Sequence, residues 1–192
     1  MRRRAVDAYS RGPAEAAIAE AIRRRMLRAG WRQIAAYAAV ASEASLSPWF
    51  DRIDGDIELC LPAVDDHGVM SFRRWRPGEP LRVGPFSIEQ PATSSEQVAV
   101  ASLDLILMPL LGFDASGTRL GSGAGYYDRA LASRGQRAVS PVLVGVGFEV
   151  QQFEHLPRDP WDVPLDAIVT ESGWVELQRV DRRRDDAGRD RG

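Results

Sequence analysis

The chain has 192 residues, of which 44% are hydrophobic and 27% charged, with a net charge of −2. That length and mixture fit one packed soluble core and exclude a disordered chain, while the near-balanced charge removes a general case for nucleic-acid binding through a basic surface. No apolar run approaches the ~18–20 residues of a membrane span, since Asp104 and Pro109 interrupt residues 103–112. All 25 basic residues are arginine, which excludes a Schiff-base lysine and a Walker-type lysine. Arg2, Arg3 and Arg4 lead into no apolar run, so no secretory signal is expected. A lone Cys60 excludes an internal disulfide and a multi-cysteine metal site and suits a reducing cytoplasm. His67 and His155, both in polar turns, leave little material for a zinc site.

In chain order, Ala17, Ile18, Ala21, Ile22 and then Met26 or Leu27 recur at helical spacing. They predict a helix over 14–29, with Pro13 near its start and Gly30 after its end. Residues 34–40 read as a buried strand, 48–53 as one or two helical turns, and Asp54-Gly55-Asp56 as a turn. Short strands are expected over 57–61 and 69–74, joined by a polar turn at 65–68. Four prolines and two glycines make 76–91 an ordered loop. Residues 103–108 suit a central parallel strand, stopped by Pro109. A helix follows through Tyr126, Tyr127, Ala130 and Leu131, with Gly135 as its stop. Strands are expected over 141–148 and 167–170. The charged residues from Asp181 onward read as a frayed tail beyond a single domain spanning 1–180. The class is α/β, a three-layer sandwich around a mainly parallel open sheet of Rossmann-like form. Monomer is the expected state.

The chemistry concentrates in residues 114–128, DASGTRLGSGAGYYD. A strand ends, Gly121, Gly123 and Gly125 alternate, and a helix begins. Glycine lets backbone N–H groups approach a ligand closely, and the helix start adds unsatisfied donors, so the loop suits a phosphate. Arg119 supplies a planar cation and Asp128 an oxygen ligand for magnesium. The loop lacks the lysine and Ser/Thr of a Walker motif, and its third glycine falls one residue early for the dinucleotide fingerprint. Alternating glycines also occur in ordinary loops, which stays open on these residues alone.

The run DLILMPLLGFDASGTRLGSGAGYYDRAL, from Asp104 to Leu131, resembles the signature of the 5-formyltetrahydrofolate cyclo-ligase (5,10-methenyltetrahydrofolate synthetase) family. Weaker similarity covers Ser42-Glu43, Leu61-Pro62, residues 86–91 and Val163-Pro164-Leu165-Asp166. The resemblance implies an ATP- and magnesium-dependent ligase that closes 5-formyltetrahydrofolate to 5,10-methenyltetrahydrofolate, releasing ADP and phosphate. The formyl oxygen attacks the γ-phosphorus, and N10 then closes the ring as phosphate leaves. Such a reaction needs charge neutralisation and in-line placement more than a protein nucleophile.

By position, the resemblance implies ATP binding by Arg119, Gly121, Ser122, Gly123, Ala124, Gly125, Tyr126 and Tyr127. It implies catalytic roles for Arg119 and Asp128, and magnesium at Asp128 and Asp166. Folate would be bordered by Ala38, Glu43, Phe86, Ser122, Gly123, Ala124, Gly125 and Tyr126. Read without the resemblance, Glu43 and Asp166 could be solvated loop carboxylates and Phe86 a loop anchor. Trp75 and Cys60 are expected to pack in the core. Family members usually carry a further N-terminal helical stretch whose lysine and arginine reach the ATP phosphates; here only Arg2, Arg3 and Arg4 precede the Ser10 region. The competing readings are a non-catalytic folate- or nucleotide-binding paralogue and a regulatory or RNA-associated module on the same architecture.

Overall fold

The structure is a computed structural model that describes residues 6–53, 55–134 and 141–177, with the backbone alone at Ala8 and Phe86. Arg2, Arg3, Arg4, Gly135 and the charged tail lie outside the described residues.

Helix α1 runs Ala8–Ala29, beginning six residues before the expected start. Asp7 explains the difference: its Oδ1 accepts the N–H groups of Tyr9 (2.9 Å) and Ser10 (3.0 Å), a side-chain cap that fixes the first turn. Pro13 therefore sits inside the helix rather than at its start. At the other end Gly30 adopts a left-handed φ of 69° and donates to the Met26 carbonyl, as a terminating glycine does. Met26 is the core position of the Met26/Leu27 pair, and Leu27 is exposed.

Strand β1 is only Gln33–Ala35, shorter than the expected 34–40. Beyond Ala36 the chain leaves the sheet, and the Tyr37 hydroxyl donates to the Ala44 carbonyl at 2.7 Å. A four-residue helix, α2 (Ser47–Phe50), buries Trp49. The hairpin β2 (Glu58–Val64) and β3 (Met70–Arg74) follows. The proline-rich stretch carries a small hairpin, β4 (Arg82–Val83) with β5 (Glu89–Gln90), and precedes β6 (Gln97–Val98). Strand β7 (Leu105–Pro109) includes Pro109 rather than stopping before it. A second small hairpin, β8 (Gly112–Phe113) with β9 (Arg119–Leu120), leads through the glycines to α3 (Tyr126–Leu131). Strands β10 (Val142–Val146), β11 (Ala167–Thr170) and β12 (Gly173–Glu176) complete the chain.

One eight-stranded sheet has the order β12-β11-β10-β7-β1-β2-β3-β6. Its five middle strands are parallel, and both edges are antiparallel. Side chains alternate across it as the pleat requires. Leu105, Leu107, Val144 and Val146 pack with Ile18, Ile22 and Met26 of α1 on one face. Ile106, Met108, Leu143 and Ile168 pack with Leu131, Leu110 and Phe113 on the other. The sheet is thus covered on both faces, although the second layer has one short helix and relies on hairpins and loops. Trp75 and Cys60 are core residues, as expected, and burial pushes the Cys60 thiol up to about 11.

Strand order reverses direction between β1 and β7: the chain moves one way from β1 to β2 and the other way from β7 to β10. In open parallel sheets ligands bind in the crevice that such a reversal opens at the carboxyl ends of the strands. Tyr37, Ala38 and Val40, beyond the short β1, line it here.

Candidate active site

A cleft of about 980 Å³ occupies that crevice, at the upper end of the range for small-molecule sites. One wall comes from the segment after β1, including Tyr37, Ala38, Val40 and Glu43, and from Pro62 of β2. The other comes from residues 117–129 and a strap at 157–164.

The second wall is built around Asp114. Its Oδ1 accepts Ser116 N–H (2.9 Å), Ser116 Oγ (2.6 Å) and Thr118 N–H (3.1 Å), which closes the β8–β9 turn. Its Oδ2 accepts Leu156 N–H (2.8 Å) and so anchors the chain entering the strap. Burial alone would raise this carboxyl, but the hydrogen bonds from Ser116, Leu156 and Thr118 outweigh it and hold the group below its ordinary value.

Arg119 leaves that turn as the first residue of β9. Its Nη2 lies 2.5 Å from Asp128 Oδ1 and its Nη1 donates to the Val163 carbonyl. Asp128 Oδ1 also accepts Val163 N–H at 3.0 Å. Arg119, Asp128 and the Val163 peptide therefore form a closed set that ties hairpin, helix α3 and strap together. The Arg119 side chain is 8% exposed and that of Asp128 23%. Two of the five guanidinium N–H donors are committed within the protein, which fixes the plane of the group at the cleft.

Between them runs the loop from Gly121 to Gly125. Gly123 (φ 90°) and Gly125 (φ 64°) take the left-handed conformation that other residues rarely adopt. Gly121 has no such requirement, and a Cβ there would meet no protein atom within 4 Å, only the space of the cleft. Arg129 braces the loop by donating to the Ala124 carbonyl at 2.8 Å while its guanidinium stacks 5.1 Å from the Tyr126 ring centre. Ser122 is exposed on the cleft wall. Tyr127 turns towards the second core face, and burial, reinforced by the charge of Glu43 and opposed by that of Arg119, raises its hydroxyl far above the ordinary value.

On the facing wall, Glu43 Oε2 accepts Val40 N–H at 3.0 Å. Arg11 of α1 donates to the Glu43 and Ser42 carbonyls, and Glu15 Oε1 accepts Ser45 N–H, so α1 clamps this loop from below. Ala38 lines the same wall. Phe86 lies on a 3-10 turn spanning Pro85–Ser87, and its side chain lies outside the described residues.

The structure does not bring Asp166 together with Asp128. Asp166 does not line the cleft: Oδ2 takes Arg134 Nη2 and Leu143 N–H (2.8 Å) at the amino end of β11, in a buried ion pair. Among the described residues no group of three or more His, Cys, Asp or Glu could hold a metal. Magnesium, however, commonly uses one or two carboxylates with substrate phosphates. Asp128, with Oδ1 engaged and its carboxylate still partly exposed, fits that single-carboxylate role.

The glycine loop, Arg119 and Asp128, singled out from the sequence, all lie on the cleft, whereas Tyr37, Arg129, Trp161 and the organising role of Asp114 were not read from it. An Asp followed two residues later by Ser is a turn-forming signal that would have marked Asp114. Of the strap residues, Val163 and Pro164 fall in a run that carries the weaker family similarity, and residues 157–162 carry no signal beyond their prolines. His67 and His155 are exposed and outside the cleft. Among the described residues no helix is long and apolar enough to cross a membrane.

Residues 1–171 match the model of the 5-formyltetrahydrofolate cyclo-ligase family. A 5-formyltetrahydrofolate cyclo-ligase of Haemophilus influenzae is 39% identical over 99 residues, covering 51% of this chain and 52% of that protein. That of Escherichia coli K12 is 37% identical over 106 residues, covering 55% and 57%. The chain thus spans about half the length of these curated relatives. Among solved structures, a 5,10-methenyltetrahydrofolate synthetase of Aquifex aeolicus superposes with a TM-score of 0.73 at 32% identity, covering 91% of this chain and 88% of the other.

Proposed function

The chain belongs to the 5-formyltetrahydrofolate cyclo-ligase family, and on that premise we propose that it converts 5-formyltetrahydrofolate and ATP into 5,10-methenyltetrahydrofolate, ADP and phosphate. The observation that carries this reading is the pairing, within one cleft, of a rigid guanidinium and a glycine loop on one wall with a carboxylate-bearing wall opposite.

The formyl group of the substrate is an amide, and its oxygen is a poor leaving group until it is phosphorylated. In the proposed reaction that oxygen attacks the γ-phosphorus and the bond to ADP breaks. N10 then adds to the activated formyl carbon, loses its proton, and expels the oxygen with the phosphoryl group as inorganic phosphate. The protein's task is to place and neutralise charge. Main-chain N–H groups between Gly121 and Gly125 line the triphosphate, which the bare Cα of Gly121 allows to approach. The uncommitted N–H groups of Arg119 bind phosphate oxygens with no reorganisation, because Asp128 and Val163 already fix the guanidinium. Asp128 would hold magnesium, which when bound would supply charge neutralisation for the transferring group. Glu43 accepts hydrogen bonds from the pterin, beside Ala38 and Phe86, while Ser122, Gly123, Ala124, Gly125 and Tyr126 border both substrates. Tyr127 stays a neutral hydroxyl beneath them. The protein acts as a monomer in the cytoplasm.

Incubation with 5-formyltetrahydrofolate and Mg-ATP tests the reading. Methenyl product and ADP are expected to appear in equal amounts. Binding of both substrates with neither product would instead favour the non-catalytic paralogue.

A further inference from the structure

Trp161 is 70% exposed, on the cleft wall, in a chain whose other four tryptophans are placed differently. Trp49 and Trp75 are buried, and Trp31 packs against Trp174 with ring centres 6.1 Å apart. The indole of Trp161 makes no hydrogen bond or ring contact among the described residues. Its backbone, in contrast, is locked. Asp159, Pro160, Trp161 and Asp162 form a turn closed by Asp162 N–H on the Asp159 carbonyl (3.1 Å), with the Asp162 carboxylate accepting Asp159 N–H (2.8 Å). Proline in the second position sets the turn's φ in advance. Two residues later, both polar groups of the Val163 peptide unit's residue are taken, the N–H by Asp128 and the carbonyl by Arg119. Upstream, Arg158 donates to the Ser116 carbonyl at 2.7 Å.

A large flat side chain left in water on a rigid turn is organised for a flat partner, since little conformational freedom is lost on contact. We propose that Trp161 is the stacking platform for the purine base of the nucleotide. This rests on the ATP-dependent reading above and adds to it the group that recognises the base. The choice of base over pterin follows from connectivity. Trp161 is two residues from Val163, within about 7 Å along the chain, and Val163 is bonded directly to Arg119, the phosphate-side cation. One sugar separates a nucleotide's base from its phosphates, so the base lies at the strap. The pterin wall, at Ala38 and Glu43, is built from the segment after β1 instead.

The test compares the affinities of Trp161→Ala, Trp161→Phe and the unaltered protein for ATP and for inorganic tripolyphosphate, which lacks a base, together with KM for 5-formyltetrahydrofolate. Loss of stacking weakens ATP roughly tenfold, the scale of base–aromatic stacking. Tripolyphosphate affinity and folate KM should stay unchanged, and Phe should recover most of the loss. Equal weakening of tripolyphosphate, a raised folate KM with ATP unaffected, or no change in either overturns the assignment. If the unaltered protein forms no methenyl product yet ATP affinity follows Trp161, the cyclising reading fails while the platform stands. If cyclisation proceeds and Trp161→Ala leaves ATP affinity intact, only the platform fails.

Discussion

Arg119 and Asp128, separated by nine positions, meet at 2.5 Å, and both hold the same residue, Val163. The sequence suggested two independent ligands, one for phosphate and one for magnesium. The geometry makes them a unit, because removing either frees the other and loosens the strap. Arg119→Ala and Asp128→Asn should each lower kcat/KM roughly 100-fold or more, the scale of losing one transition-state donor. The double variant should fall well short of the product of the two losses, with a coupling of about 0.5–3 kcal/mol. A double-mutant cycle measures this, and multiplicative losses would show that the two act separately. A magnesium titration of Asp128→Asn should also shift to higher concentration.

Two glycine substitutions separate ligand space from packing space. At Gly121 a Cβ meets nothing, so Gly121→Ala should leave thermal stability nearly unchanged while raising KM for ATP about tenfold, equivalent to 1.4 kcal/mol. At Gly145 a Cβ would lie 2.6 Å from Leu110 Cδ2 and 2.7 Å from Ile168 Cδ1, so Gly145→Ala should cost about 1–3 kcal/mol of stability. Denaturant unfolding and steady-state kinetics on both variants check the contrast.

Asp166 is expected to matter for folding more than for the metal. Asp166→Asn removes the charge opposite Arg134 in a buried pair and should destabilise the fold by about 3–5 kcal/mol. At a temperature where it remains folded, its magnesium dependence should match that of the unaltered protein. A shifted magnesium titration with unaltered stability would return Asp166 to the metal.

Acid stability should report Asp114. Its folded-state carboxyl titrates lower than the unfolded one, so the native state holds fewer protons in between. The stabilisation is present above the ordinary value of 3.8 and is lost as pH falls through the lower folded value. Asp114→Asn should lower Tm at neutral pH and flatten the decline in Tm below about pH 4. Melting curves across the acid range decide it, and an unchanged slope in Asp114→Asn would locate the effect elsewhere.

Much of the frame was legible in the residues. Buried runs around Ile106, Val144 and Ile168 marked the central strands because both faces of a parallel strand must be apolar. Ala167–Thr170 is a strand as expected. Only the start of the N-terminal helix differs from expectation, because Pro13 is a local signal whereas the Asp7 cap fixes the first turn; its end at Gly30 is as expected. Short strands such as β8 and β9 have too few residues to show a period. At the site, glycine spacing and the Gly-Tyr-Tyr-Asp run identified one wall. The role of the strap could not be read, since Val163 gains its meaning from contacts with residues 35 and 44 positions away and Trp161 from the cleft wall on which the fold places it. The partner of Asp166 was illegible for a related reason: sequence gives a carboxylate near Val163, and only the fold pairs it with Arg134.

If the cleft activates the formyl oxygen by phosphorylation, that oxygen leaves in the released phosphate. The most direct measurement uses 5-formyltetrahydrofolate carrying a heavy oxygen isotope in its formyl group, turned over with Mg-ATP, followed by mass analysis of the released phosphate. One heavy oxygen is expected in phosphate for every methenyl product formed. Unlabelled phosphate, with the isotope released to water, would contradict it.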